Sequence, residues 1–170
     1  MFATLRGLTL FTASVLSATT IATAQTPAPS APLPAQLSTA KKIFLSNASG
    51  KSYSGMAASD LTYNDFHSAL KSWGRYELAS TPSDADMIFE IRYEAPFGPS
   101  NGGNSVEFPE AMLVIFDPKT HVVLWAFSEP LVSTKHKSNE QHLADTLNNL
   151  LNDVKRLVAL AEANNASSRK

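Results

Sequence analysis

The stretch from Asp86 to Glu94, DMIFEIRYE, places an apolar side chain at every second position. A period of two is that of a β-strand with one face in the core and the other in solvent. A strand with one solvated face is typical of antiparallel sheets. The apolar face would carry Met87, Phe89, Ile91 and Tyr93, and the polar face Glu90, Arg92 and Glu94.

A helix is predicted before this strand. Ser59 or Asp60 can cap its N-terminus, and Gly74, directly after Trp73, is a typical C-terminal stop. The apolar residues between them recur at helical spacing. They are Leu61, Phe66, Ala69, Leu70 and Trp73. Short strands are predicted on both sides of the helix, over Lys41 to Ser46 and Arg75 to Ala79.

After the alternating strand, Ala95 to Phe108 contains three glycines and two prolines, which predicts a mobile loop. Two further strands are predicted over Ala111 to Phe116 and Val122 to Phe127. The turn between them, Asp117 to His121, has an Asp that can bond the turn backbone and a Pro that presets φ. We expect His121 to adopt a positive φ, which His tolerates better than most residues.

The chain ends with a long predicted helix from about Asn139, capped by Ser138 or Asn139. Its apolar stripe would dock on a sheet or on another helix. The stripe consists of Leu143, Leu147, Leu150, Val154, Leu157 and Val158.

The resulting order is β-α-β-β-β-β-α. It predicts an α+β fold, a two-layer α/β sandwich with both helices on one face of a mainly antiparallel sheet. With 170 residues in the chain, we expect a single α/β domain over residues 40–161, followed by a disordered tail over 162–170.

The N-terminus reads as a secretory signal peptide over residues 1–24. Arg6 is followed by an uncharged, largely apolar stretch that ends in Ala22-Thr23-Ala24, an A-x-A cleavage pattern. A retained membrane anchor is the alternative, but Ser and Thr dilute the segment below the apolar character of a spanning helix. The prediction is therefore a periplasmic or secreted protein with no transmembrane segment after cleavage.

Residues 25–39 are rich in Pro and Ala and predict an extended linker. It would be a plain leader or, alternatively, a tether or docking peptide.

Composition excludes several classes of protein. The chain has 14 Lys and Arg against 15 Asp and Glu, which argues against nucleic acid as a partner. It has no Cys, so disulfides, thiolate metal sites, a Cys nucleophile and a lipid-modified N-terminal Cys are impossible.

No common catalytic motif is present in the sequence: neither G-x-S-x-G, nor HExxH, nor a phosphate-binding glycine loop. Two constellations stay open as alternatives. Glu90 and Glu94 share a strand face and could form a carboxylate pair, and His136 and His142 could coordinate a metal. Solvated ion pairing on the strand and an exposed capping loop explain both more simply. We predict no catalytic residue, no cofactor and no metal.

Two segments are candidates for binding a partner. One is the Gly/Pro loop from Pro96 to Asn104, flanked by aromatic residues, because mobile loops on a rigid sheet often bind. The other is the polar segment from Ser133 to His142, whose lysines could hold an anion at the N-terminus of the final helix. The predicted partner-binding residues are Phe97, Asn101, Phe108, Lys135, His136 and Lys137.

The run from Ala85 to Glu90 (ADMIFE), together with Asp117 to Trp125 (DPKTHVVLW), resembles a group of small exported bacterial envelope proteins, mostly uncharacterised. The arrangement is also similar to the N-terminal α/β domain of TolB and to lipoprotein activators of peptidoglycan synthases. The resemblance covers about Lys41 to Leu160. It implies a non-enzymatic domain that binds other envelope components, and it transfers no catalytic residue. Unlike the lipoproteins, this chain has no lipobox Cys.

The sequence thus predicts a non-enzymatic interaction module that binds a cell-envelope protein or glycan through the open sheet face, the Gly/Pro loop or the linker. The alternative is a small periplasmic hydrolase or carbohydrate-binding protein that uses Glu90 and Glu94 or the His136–His142 segment. A metal-handling protein is the third hypothesis.

Overall fold

The structure, a computed structural model, describes residues 32–49, 56–99, 102–132 and 138–168. The predicted signal peptide and residues 25–31 of the predicted linker lie outside these ranges. None of the helices within the ranges combines the length and the apolar character that a membrane span needs.

Three helices and seven strands make up the described part of the chain. In chain order they are α1 (Gln36–Thr39), β1 (Lys42–Asn47), α2 (Met56–Trp73), β2 (Glu77–Leu78), β3 (Met87–Glu94), β4 (Phe97–Pro99), β5 (Ser105–Glu107), β6 (Glu110–Phe116), β7 (Val123–Pro130) and α3 (Asn139–Ser167). A short 3-10 turn, Pro82–Asp84, precedes β3.

The main sheet has the strand order β2-β1-β3-β6-β7. β1 pairs in parallel with β2 and β3, whereas β6 pairs in antiparallel with β3 and β7. The sheet is therefore mixed, with the longer ladders in its antiparallel half. Its parallel half arises because α2 crosses back over the sheet, so that the next strands run in the direction of β1.

The two-layer α/β sandwich is confirmed, and its core lies between one sheet face and the helices. In β3, Met87, Phe89 and Ile91 are fully buried, as the period of two predicts. The residues that intervene are only partly buried. From the helical layer, α2 and α3 contribute the buried side chains Phe66, Leu70, Leu143, Leu147, Leu150, Leu151, Val154, Leu157 and Val158.

Several local predictions are confirmed. His121 has a φ of 57°, and Gly74, at the end of α2, has a φ of 67°. In the turn after β6, the Asp117 carboxylate accepts a hydrogen bond from the backbone N–H of Lys119 at 2.9 Å. Ser138 caps α3 and forms a capping box with Gln141.

Both ends of the domain differ from the prediction. Residues 36–39, assigned to the linker, form α1, in which Leu37 is fully buried. We predicted a disordered tail over residues 162–170, but α3 continues to Ser167. The reason is a set of polar contacts between the two ends: the Arg75 guanidinium binds the Ser38 carbonyl at 3.0 Å and the Glu162 carboxylate at 2.9 Å.

The predicted loop from Ala95 to Phe108 is also more ordered than its composition indicates. It contains the two-stranded antiparallel hairpin of β4 and β5, in which Phe97 lies opposite Glu107 and Pro99 opposite Ser105. The backbone N–H of Phe108 extends the pairing by donating to the Pro96 carbonyl at 2.9 Å.

Removing the Tyr76 hydroxyl tests how much its contact with α1 contributes to stability. The Tyr76 hydroxyl donates to the Leu37 carbonyl at 2.9 Å, and burial raises the pKa of Tyr76 to about 12. Tyr76→Phe leaves that buried carbonyl without this donor, so we expect the free energy of unfolding to fall by about 1–2 kcal/mol. Urea denaturation measures the loss. Tyr63→Phe, on α2, is the matched control, and an equal effect of both substitutions would contradict the prediction.

Candidate partner-binding groove

A groove of about 570 Å³ lies at the end of the sheet where β6 begins and β7 ends. Its volume falls within the range of ordinary ligand sites. Among the residues that the structure describes, most of the lining is apolar and its charged members are two glutamates. The lining residues are Pro96, Glu107, Phe108, Pro109, Glu110, Pro130, Leu131 and Val132.

Hydrogen bonds and core packing fix the walls of the groove. The backbone N–H of Leu131 donates to the Pro109 carbonyl at 2.8 Å, which continues the β6–β7 ladder by one pair. The Thr146 hydroxyl of α3 donates to the Pro130 carbonyl at 3.5 Å. The Leu131 side chain packs against the core. Prolines also restrict φ at three lining positions, which limits the conformational freedom of these walls.

Phe108 owes its position to a glycine. A Cβ atom added at Gly98 would lie 2.7 Å from Phe108 Cε2, so the ring covers β4 in a place that only glycine leaves open. Phe108 is nevertheless 51% exposed and Phe97 is 72% exposed. Val106 and Val132 are exposed as well, and Phe108 and Val132 both line the groove. Exposed apolar side chains with polar groups at their border are typical of interaction sites.

The electrostatic environment of the groove is acidic. Glu107 and Glu110 line it, and Glu94 lies directly opposite Glu110 in the β3–β6 register. Burial raises the pKa of the neighbouring Tyr93, and the negative charge of Glu107 adds to the shift. The Ser128 hydroxyl donates to the Glu110 carboxylate. Arg92 lies close by, but its guanidinium binds Glu90 and Glu94 on the outer face of the sheet.

Two of the predicted binding residues are described by the structure. Phe108 lines the groove, whereas Phe97 lies on the adjoining hairpin and is not part of the lining. Asn101, Lys135, His136 and Lys137 lie outside the described residues. A binding role stays a prediction for all six. Sequence reasoning missed the residues at the strand ends. Proline at the boundary of a strand was the available signal, and it occurs at Pro109 and Pro130.

Of the groups in the alternative hypotheses, His136 lies outside the described residues, and Glu90, Glu94 and His142 do not meet in one site. Glu90 and Glu94 belong to the outer face of β3 and form ion pairs with Arg92. His142 is buried on α3, in the helical layer on the opposite side of the sheet. Among residues 32–49, 56–99, 102–132 and 138–168, no three His, Asp or Glu side chains are grouped as metal ligands would be. The described geometry therefore favours neither a carboxylate pair nor a metal centre.

Comparison with known proteins gives a likeness in structure only. No family model matches the chain, and no curated protein matches it in sequence. The solved structures similar to it include the PelC dodecamer from Paraburkholderia phytofirmans, with 12% identity, a TM-score of 0.43, and coverage of 74% of this chain and 93% of that one.

The lipoprotein GNA1162 from Neisseria meningitidis is similar with 16% identity and a TM-score of 0.38, over 68% of this chain and 99% of that one. Protein XCC0632 from Xanthomonas campestris, of family DUF330, has 11% identity and a TM-score of 0.44, over 77% and 89%. At these values the likeness assigns no function.

A second acidic pair, away from the groove, predicts a pH dependence of stability. Burial raises the pKa of Glu129 on β7, and a hydrogen bond to Asp153 of α3 raises it further, while Arg156 opposes the shift. The folded protein holds the Glu129 proton more tightly than the unfolded chain does, so protonation of Glu129 stabilises the fold at pH values below the ordinary pKa of 4.5. That stabilisation is lost as pH rises through the raised pKa.

Glu129→Gln keeps a hydrogen-bond donor and removes the titration. We expect the stability of this variant, relative to the unsubstituted protein, to increase as pH rises above 4.5. Urea midpoints at a series of pH values measure the difference. Glu77→Gln, on the exposed β2, is the control. A difference that stays constant with pH would contradict the prediction.

Proposed function

We propose that the protein is an exported, non-enzymatic interaction module that binds a cell-envelope component through the groove. One observation carries the proposal: the described lining of the groove is mostly apolar, and its aromatic residue, Phe108, remains half exposed in the folded chain. Keeping such surface in water is unfavourable, and burying it against a partner removes that cost.

The chemistry of the lining supports binding rather than catalysis. Interfaces are anchored by aromatic and apolar side chains that fill pockets, with polar groups at the rim. Phe108, Leu131 and Val132 supply anchors of this type, and Glu107 and Glu110 supply the polar groups. A general acid–base site needs a titratable group with a tuned pKa beside a second functional group. The lining residues show no such pair beyond their two carboxylates.

The cellular location is inferred from the sequence and stays a proposal. The signal peptide predicted over residues 1–24 would export the chain to the periplasm or the medium. A chain without Cys is not attached there through a lipidated cysteine, so the mature form would be soluble. The available partners would then be envelope proteins or glycans.

Affinity capture tests the proposal. The protein, tagged at its C-terminus and purified in the form its host exports, is incubated with an extract of that host's cell envelope, and bound material is identified by mass spectrometry. We expect one component to be enriched. Phe108→Ser combined with Val132→Ser should reduce its recovery about tenfold or more, because removal of a buried interface anchor commonly costs 2 kcal/mol or more.

Leu160→Ser is the matched control, since Leu160 is 58% exposed on α3 and does not line the groove. Thermal unfolding of all three proteins establishes that they are folded at the temperature of capture. Equal recovery of the component by the groove variant, or no enrichment by the folded unsubstituted protein, would refute the proposal.

A further inference from the structure

We propose that the occupant of the groove is an extended peptide segment that combines apolar side chains, proline among them, with lysine or arginine. The inference rests on the proposed function and adds the chemical class of the partner. It follows from the shape of the lining, from its hydrogen-bonding groups and from its charge.

The hydrogen-bonding groups of the lining favour recognition through side-chain packing. Pro96, Pro109 and Pro130 have no backbone N–H to offer a ligand. The carbonyls of the three prolines already accept hydrogen bonds, from Phe108, Leu131 and Thr146 respectively. At these three positions a ligand therefore finds no main-chain donor and no carbonyl without a hydrogen bond. This situation suits proline-rich segments, which dock in aromatic-lined grooves in an extended conformation that is already ordered before binding.

Charge complementarity supplies the second part of the inference. Glu107 and Glu110 line the groove, and Glu94 lies opposite Glu110 across the ladder. Arg92 is engaged by Glu90 and Glu94 and does not line the groove. Glu107 and Glu110 therefore give the described lining a negative charge, and none of its eight residues is a lysine or arginine. A lysine or arginine of the partner would pair with these carboxylates.

The same lining argues against a glycan. Sugars are recognised by several convergent polar side chains around an aromatic surface, because each hydroxyl needs a hydrogen-bonding partner. Among the described lining residues, Glu107 and Glu110 are the only ones with polar side chains, and Glu110 already accepts from the Ser128 hydroxyl. This part of the lining therefore offers an aromatic surface but few of the polar groups that a sugar requires.

Direct binding to defined probes tests the inference. The probes are fluorescein-labelled Pro-Leu-Pro-Lys-Pro-Leu-Pro-Lys, the same peptide with Glu in place of both Lys, and the hexamer of N-acetylglucosamine. Fluorescence anisotropy follows the peptides, and titration calorimetry follows the sugar. We expect the lysine peptide to bind about tenfold tighter than the glutamate peptide at low salt, since each rim ion pair contributes modestly. This preference should shrink as salt is added.

Substitution of the carboxylates measures the contribution of charge to peptide binding separately from that of the apolar surface. Glu107→Gln combined with Glu110→Gln preserves size and should abolish the preference for the lysine peptide. Phe108→Ser should lower the affinity for both peptides by the same factor. Glu77→Gln, which removes a carboxylate on β2 at the far edge of the sheet, is the control and should change neither.

The outcomes separate this inference from the proposed function. Binding of the sugar alone, no binding of either peptide, equal binding of both, or a preference that survives the double glutamine substitution would each overturn the inference. The proposed function would still stand if capture from the envelope extract depended on Phe108 and Val132. Conversely, groove-independent capture would refute the proposed function whatever the peptides do.

Discussion

The structure depends on the register of β3, which runs through the middle of the sheet. Its alternate residues Met87, Phe89 and Ile91 are fully buried beneath the helices. A shift of one residue would move Glu90 and Arg92 into the core, so only one register is compatible with a folded protein. Just before the strand, the Asp86 carboxylate reinforces it by accepting the backbone N–H groups of both Lys41 and Lys42, at 2.8 and 2.9 Å. These bonds lower the pKa of Asp86 and align β1 beside β3.

The same register builds the groove. It sets Glu94 opposite Glu110, and Glu110 opposite Pro130, so that three strand ends fall in one line. The segments that follow β3 and precede β6 must then leave the sheet side by side, which brings Pro96 next to Phe108. No single segment of the chain contains the groove. It is a consequence of where three strands end relative to one another.

How far the sequence predicts the structure depends on the range of the interactions involved. Local patterns predicted the faces of β3, the positive φ of His121 and the stripe of α3, because each is determined by residues a few positions apart. Leu37 was assigned to a linker because the surrounding prolines dominate the composition. Its burial depends on Arg75 and Tyr76, which are close in space but distant in sequence.

The residues of the candidate site also fall into two groups, those that a local pattern predicts and those that only strand pairing brings together. Phe97 and Phe108 were predicted as binding residues because aromatic residues beside a Gly/Pro segment are conspicuous in a sequence. Leu131 and Val132 were not, since only the pairing of β7 with β6 brings them to Phe108. A period of two shows which side chains share a face, but it does not show which strand ends meet.

The acidic groups at the groove are difficult to explain by folding alone. Like charges directly opposite each other on neighbouring strands destabilise a sheet, and Glu94 and Glu110 occupy such a position. Arg92 compensates Glu94, and Ser128 binds Glu110, but neither places a positive charge beside Glu107. A cationic partner would reduce the repulsion between like charges, so Glu107 and Glu110 would contribute to the stability of a complex.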